Sequence, residues 1–289
     1  MPKNAGFIGV FDSGIGGLTI LQALVRDLPR ESFVYVADNH YLPYGGKSEA
    51  EVLDRALRCS EFLLSRGAKA IVVACNTATA IAIDELRLRF TVPVIGVEPA
   101  IKPAVARSRN GQVGVMTTRA TASSLRYQAL VAKHADSAKI FTQACPGLVE
   151  AIESADQDLK AAGQLAEAYL SRLLAQTVDT VVLGCTHYPW VRENIEHLAG
   201  PGVHIFDTAN PVSEQLQRKL QQQGLLLESS VTGQIEVWAS GEVDRIRLRL
   251  CNLIDISAYS LASAVLHQDG FSRLVRFTPR LDNSSPKFD

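Results

Sequence analysis

Two cysteines stand in matching contexts. Cys75 closes the run Ala70-Ile-Val-Val-Ala and is followed by Asn76-Thr77-Ala78-Thr79, polar groups suited to capping a helix. Cys185 closes Thr180-Val-Val-Leu-Gly and is followed by Thr186, His187 and Pro189, the last suited to a first helical turn. Each apolar run reads as a buried strand, so each thiol sits where a strand ends and a helix begins. A helix N-terminus stabilises thiolate and lowers a thiol's pKa from its reference of about 8.5. A thiolate and a thiol facing one carbon from opposite sides are able to remove a proton and return one to the other face. His187 is placed to orient a thiol or exchange its proton. A cysteine at a strand end is otherwise commonly a small buried apolar residue. The repeated context is what favours chemistry here.

Three further stretches supply candidate site residues. Val10-Phe-Asp-Ser-Gly-Ile-Gly-Gly is a strand running into a glycine-rich turn, but its spacing, Gly14-Ile-Gly16-Gly17, is not that of a dinucleotide-binding fingerprint. Asp12 and Ser13 sit instead where side chains meet an ammonium group or tune a thiol. The turn-rich loop Asp38 to Ser48 carries Tyr44 and the backbone of Gly45, both suited to holding a carboxylate, although an ordinary surface turn has the same composition. Glu150 follows Cys145-Pro-Gly-Leu-Val at a helix start, where an acid also stabilises the dipole. Cys145, and Cys251 within the helical stretch 243–254, read as structural.

These residues need a scaffold, and the chain alternates short β-rich runs with helical patterns almost throughout, the signature of an α/β fold with mostly parallel sheets. Strands are predicted at 7–11, 33–37, 70–74, 93–97, 112–116, 139–143, 179–183, 203–206 and 235–238. Ser48 and Glu51 form a capping box for a helix that Gly67 ends. Val52, Ala56, Cys59 and Leu63 recur on one face of it, which makes Cys59 a core residue. The segment Ile71-Val-Val-Ala-Cys-Asn-Thr is echoed by Val181-Val-Leu-Gly-Cys-Thr-His, and Phe7-Ile-Gly-Val-Phe-Asp-Ser-Gly loosely by Gln112-Val-Gly-Val-Met-Thr-Thr. The echoes predict two similar lobes facing across a central cleft, 1–97 plus 208–289 and 98–207, with a cysteine approaching from either side. Ligands in open α/β sheets sit beyond the strands' carboxyl ends.

Composition narrows the partners. A formal net charge of -1 among 289 residues gives no electrostatic footprint for nucleic acid or anionic lipid. No apolar stretch approaches the roughly 18 residues of a spanning helix, and no signal peptide is evident, which predicts a cytoplasmic protein acting on a small molecule. Five cysteines without a Cys-x-x-Cys pair predict free thiols rather than a disulfide framework. Cys75, Cys185 and His187 are three soft groups without a metal-site spacing.

Phe11-Asp-Ser-Gly-Ile-Gly-Gly-Leu, Ala37-Asp-Asn through Pro43-Tyr-Gly, Ala74-Cys-Asn-Thr-Ala-Thr-Ala, Gly96-Val-Glu-Pro-Ala and Leu183-Gly-Cys-Thr-His-Tyr-Pro together resemble the glutamate racemases of bacterial cell-wall synthesis, over roughly residues 7 to 250. The resemblance implies that Cys75 and Cys185 are the two catalytic bases interconverting L- and D-glutamate, with neither cofactor nor metal. It also implies that Asp12, Ser13, Tyr44, Gly45, Asn76, Thr77, Thr186 and His187 bind substrate, that Asp12 assists Cys75, and that Glu150 assists Cys185 together with His187. A homodimer and activation by a cell-wall precursor are partners left open. The stretch after about Ile254, including Leu261-Ala-Ser-Ala-Val-Leu-His-Gln, has no counterpart in that family, and the polar tail from about 281 has a disordered composition. A racemase for aspartate or a related amino acid, and a non-catalytic amino-acid-binding protein, fit the same residues less well.

Overall fold

The computed structural model describes residues 6–155, 158–228, 232–242, 244–253, 259–262, 266–268 and 271–279. Strands β1 (Phe7–Asp12), β2 (Phe33–Ala37), β3 (Ala68–Val73) and β4 (Val94–Gly96) alternate with helices α1 (Leu18–Asp27), α2 (Glu49–Ser65) and α3 (Asn76–Arg89). All six residues of β3 are buried, because helices cover both faces of a parallel sheet and leave no polar side. The capping box at Ser48 and Glu51 is formed, Val52, Ala56, Cys59 and Leu63 are buried, and Gly67 takes the left-handed φ of 97° that ends α2.

A second set of units follows: α4 (Ile101–Arg107), β5 (Gln112–Thr117), α5 (Arg119–Ser123), α6 (Leu125–Ala132), β6 (Lys139–Ala144), α7 (Leu148–Ser154), α8 (Lys160–Leu174), β7 (Thr180–Leu183), α9 (Arg192–Ala199) and β8 (His204–Phe206). Helix α10 (Ala209–Gln222) then returns the chain to the first sheet, where β9 (Ile235–Ala239) pairs parallel to β2. The first sheet runs in the order β2-β1-β3-β4 and the second in the order β6-β5-β7-β8. The orders are the same when strands are counted from each lobe's start. β3 and β7, which precede the two cysteines, therefore hold equivalent places, each beside its lobe's first strand. In each sheet the strand order reverses beside these strands, between β1 and β3 and between β5 and β7, the topological switch points beyond whose carboxyl ends α/β sheets bind ligands.

All nine predicted strands are present. Three more follow helix α11 (Asp244–Leu253): β10 (Tyr259–Ala262), β11 (Leu266–Gln268) and β12 (Phe271–Pro279). β12 pairs antiparallel to β9 and carries β10 on its far side, extending the first sheet beyond its parallel part. The tail from 281, expected to be disordered, lies outside the described residues.

One buried ion pair fastens the returning segment. Lys69 Nζ in β3 lies 2.6 Å from Glu31 Oε2 and donates to Leu225 O at 2.9 Å, while Glu31 Oε1 accepts from Leu227 N–H at 2.7 Å. A buried carboxylate stripped of its cation is costly, so Lys69→Met is expected to lower unfolding stability by about 3–5 kcal/mol, and the double variant with Glu31→Gln by less, as read by urea titration.

Candidate active site

The carboxyl ends of β1 and β3 build one wall. Cys75 is the N-cap residue of α3, in extended conformation, so its side chain lies beside the helix's first turn without a cap hydrogen bond, where the Ala78 N–H favours thiolate. Its Sγ donates to Ser13 Oγ at 3.8 Å. Asp12 ends β1, and its Oδ1 accepts from Gly14 N–H at 2.8 Å. Tyr35 OH donates to Gly14 O at 2.7 Å, which fixes the turn between β1 and α1. Asn76 donates through Nδ2 to Val97 O at 3.1 Å, leaving its buried Oδ1 without a protein partner.

The second lobe faces this wall with the residues that follow β5 and β7. Cys185 Sγ lies 3.9 Å from His187 Nδ1, and His187 Nε2 lies 2.6 Å from Glu153 Oε1. The expectation that Glu150 accompanies His187 is corrected here. Glu150 is exposed on α7 and lines a cavity of about 500 Å³ with Pro43, Gly45, Thr118 and Cys145, whereas Glu153, one turn further along, reaches the imidazole. Thr118, Thr121 and Thr77 form a hydroxyl cluster across the lobes, with Thr77 Oγ1 3.0 Å from Thr118 Oγ1 and 3.4 Å from Thr121 Oγ1. Thr118 and Glu153 were missed in sequence. For Thr118 a signal existed, since the echo of β1 in β5 sets Thr117-Thr118 opposite Asp12-Ser13. Tyr44, expected to meet a carboxylate, has its hydroxyl engaged at 2.5 Å by Asp38 Oδ2, which leaves the backbone of the Tyr44–Gly45 segment facing the other lobe.

The walls touch through the glycine-rich turn. Asp12 Oδ2 accepts from Thr186 Oγ1 at 3.1 Å, and Ile15 N–H donates to Glu153 Oε1 at 2.8 Å. A methyl group on Gly16 would stand 2.5 Å from His187 Nδ1, and one on Gly14 would overlap the Glu153 carboxylate. The glycines therefore serve close approach of the lobes rather than phosphate binding. Both cysteines are 5% exposed in this closed arrangement.

Burial governs the electrostatics. Cys75 was expected to have a lowered pKa, but the structure raises it well above the usual thiol range. Desolvation is the main cause, reinforced by the charge of Asp12, and together they outweigh the Ala78 N–H. The charge of Cys185 also reaches Cys75, which places both sulfurs in one field. Burial raises the Asp12 carboxyl too, against the opposing pull of His187. For His187, burial works against protonation, yet hydrogen bonds to Cys185 and Glu153 override it and lift the imidazole well above its usual 6.5. The Cys145 thiol is pushed up to about 12, mainly by burial, in keeping with a structural role. Among the described residues no three His, Cys, Asp or Glu side chains converge as a metal site, and no helix is long and apolar enough to cross a membrane.

The protein consists of two α/β lobes of equal strand order, each with a buried cysteine just beyond the end of a central strand. The chain belongs to the Asp/Glu/hydantoin racemase family, whose model matches residues 8–213, and it is an isomerase of the amino-acid racemase type. It is 47% identical to the glutamate racemase of Methylococcus capsulatus over 244 residues, covering 84% of this chain and 90% of that one. The structure of Francisella tularensis glutamate racemase with D-glutamate superposes with a TM-score of 0.75 at 32% identity, covering 87% and 94% of the two chains. That of Escherichia coli glutamate racemase with L-glutamate and the activator UDP-MurNAc-Ala has a TM-score of 0.75 at 30% identity, covering 86% and 94%.

The His187 contacts set a pH signature. The imidazole is expected to titrate by NMR well above 6.5, and at a lower pH in the Glu153→Gln variant. A raised folded-state pKa stabilises the fold fully below about pH 6.5 and loses that contribution as pH rises through the folded value. The stability advantage of the wild type over His187→Asn should therefore shrink with rising pH.

Proposed function

We propose that the protein interconverts L- and D-glutamate without a cofactor, by transfer of the α-proton between substrate and two cysteines. The observation that carries this reading is the pair of buried thiols at equivalent strand ends, each with its own ionisable neighbours: Asp12 beside Cys75, and His187 with Glu153 beside Cys185. One thiolate takes the Cα proton, the Cα–H electron pair is left on carbon, and the opposing thiol gives its own proton to the other face. The first cysteine ends as thiol and the second as thiolate, so the reverse reaction starts from the product state.

An α-hydrogen is very weakly acidic, so the developing carbanion needs donors at its carboxylate and a site without water. Thr77 and the Asn76 side chain supply donors and acceptors at the start of α3, and Thr186 supplies them across the cleft. Asp12 faces the substrate's ammonium, whose positive charge offsets the field that holds Cys75 protonated. The Thr77–Thr118–Thr121 cluster and the amides of Tyr44 and Gly45 suit a second, side-chain carboxylate. This favours a dicarboxylic amino acid, and the names of the relatives favour glutamate over aspartate.

The same reading assigns the lobes to 1–97 plus 208–289 and 98–207. It places the enzyme in the cytoplasm as a source of D-glutamate for peptidoglycan, open to activation by a cell-wall precursor as its Escherichia coli relative is. A homodimer is compatible with it.

Purified protein given L-glutamate in deuterated water, with chelator and without pyridoxal phosphate, is expected to produce D-glutamate carrying deuterium at Cα, as read by chiral chromatography and mass spectrometry. Cys75→Ser and Cys185→Ser should each lower racemisation by about a thousandfold, the middle of the range for losing a positioned acid or base. Glu153→Gln should slow it more than Glu150→Gln. Normal turnover by the Cys185→Ser protein would sink the two-cysteine mechanism, and preferential turnover of aspartate would reassign the substrate.

A further inference from the structure

Outside the reacting groups, a buried network near the site joins the end of β2 to the loop before α2. Asp38 follows β2, its side chain is wholly buried, and its N–H donates to Asp12 O at 2.9 Å. Arg55 on α2 meets it with a bidentate fork, Nε to Oδ2 at 2.8 Å and Nη2 to Oδ1 at 2.7 Å. Tyr44 OH donates to the same Oδ2 at 2.5 Å. The Arg55 guanidinium also lies 3.7 Å from the centre of the Tyr41 ring. One carboxylate thus ties the start of the loop to its end and to a rigid helix.

The far side of that loop faces the second lobe. Tyr44 and Gly45 begin a short helical turn, Tyr44–Gly46, whose leading N–H groups find no partner within the turn. Gly45 approaches Thr118 so closely that a methyl group on it would stand 3.2 Å from Thr118 Cβ. Thr118 belongs in turn to the hydroxyl cluster that includes Thr77 beside Cys75. The placement of the Tyr44 and Gly45 amides against the cleft therefore depends on where the Tyr44 ring is held. Its ring is buried and its hydroxyl is anchored on the Asp38 carboxylate, with the Cys59 thiol beside it.

We infer that Asp38 and Arg55 are positioning residues for the proposed reaction: through the Tyr44 hydroxyl they hold the Tyr44–Gly45 amides at the substrate carboxylate. The inference rests on the reading that these amides bind substrate. Neither residue touches substrate itself. The guanidinium fork supplies direction as well as charge, so lysine at position 55 does not replace it.

The test compares the full-length wild type with Asp38→Asn, Arg55→Lys, Tyr44→Phe and the double variant Asp38→Asn/Arg55→Met, by steady-state kinetics in both directions, urea unfolding and amide hydrogen exchange over 39–47. KM for glutamate is expected to rise about tenfold in the single variants, with kcat within about threefold, because binding geometry rather than proton transfer is disturbed. Exchange over 39–47 should quicken by about tenfold or more while β3 and α3 keep their protection. In the double variant no buried charge is left unpaired, so stability recovers while KM stays high. KM returning with stability in the double variant, or unchanged KM and exchange in all variants, would overturn the inference. A wild type inert on glutamate would count against the substrate reading alone, since loop exchange is measured without substrate.

Discussion

The contact on which the rest of the site depends is the meeting of the two lobes through the β1–α1 turn. Asp12 uses one oxygen to close its own turn and the other to accept from Thr186 of the opposite lobe. Glu153 does the converse, holding His187 within its lobe and the Ile15 amide across the gap. Because these side chains are also the neighbours of the two thiols, the distance between the lobes and the chemistry of the sulfurs are set by the same bonds. A domain interface elsewhere on the surface would leave the two independent.

That arrangement explains why burial outweighs local helix effects. Cys75 has a favourable helix N-terminus, yet it is shut between lobes beside a carboxylate, and desolvation dominates where water is excluded. His187 shows the opposite balance at equal burial, since two acceptors lie against its two nitrogens. The closed site thus favours the thiol form of Cys75 and raises the proton affinity of the imidazole beside Cys185, two shifts that neither residue would show in isolation.

Much of this was legible in sequence. β3 and β7 are covered on both faces, so they appear as uninterrupted apolar runs, and the repeat of Ile/Val-Val-x-x-Cys carries the equivalence of the lobes directly. Ser48 and Glu51 announce a helix start by bonds made within four residues. What was hidden depends on contacts distant in the chain. Glu150 and Glu153 are three residues apart on one short helix, and only the docking of His187 separates them. The opposite direction of the Cys75 shift comes first from burial between the lobes and then from Asp12, some sixty residues earlier in the chain. β10 to β12 follow no βα alternation; β12 is held by pairing to β9, and β10 and β11 by pairing to β12, so their short runs lack the pattern that exposed the other nine strands.

The shared strand order of the two sheets has a consequence for kinetics. Mirror-image substrates have equal free energy in water, so the Haldane relation fixes kcat/KM to be the same in both directions. In the proposed mechanism equal strand orders bring two thiols to one carbon, but the flanking groups differ: a carboxylate on one side, an imidazole–carboxylate pair on the other. Ground-state affinity and turnover are then free to differ between enantiomers while their quotient is not. A duplicated scaffold with unlike trimmings is thereby a device for making a thermodynamically neutral reaction run at unequal saturation from its two ends.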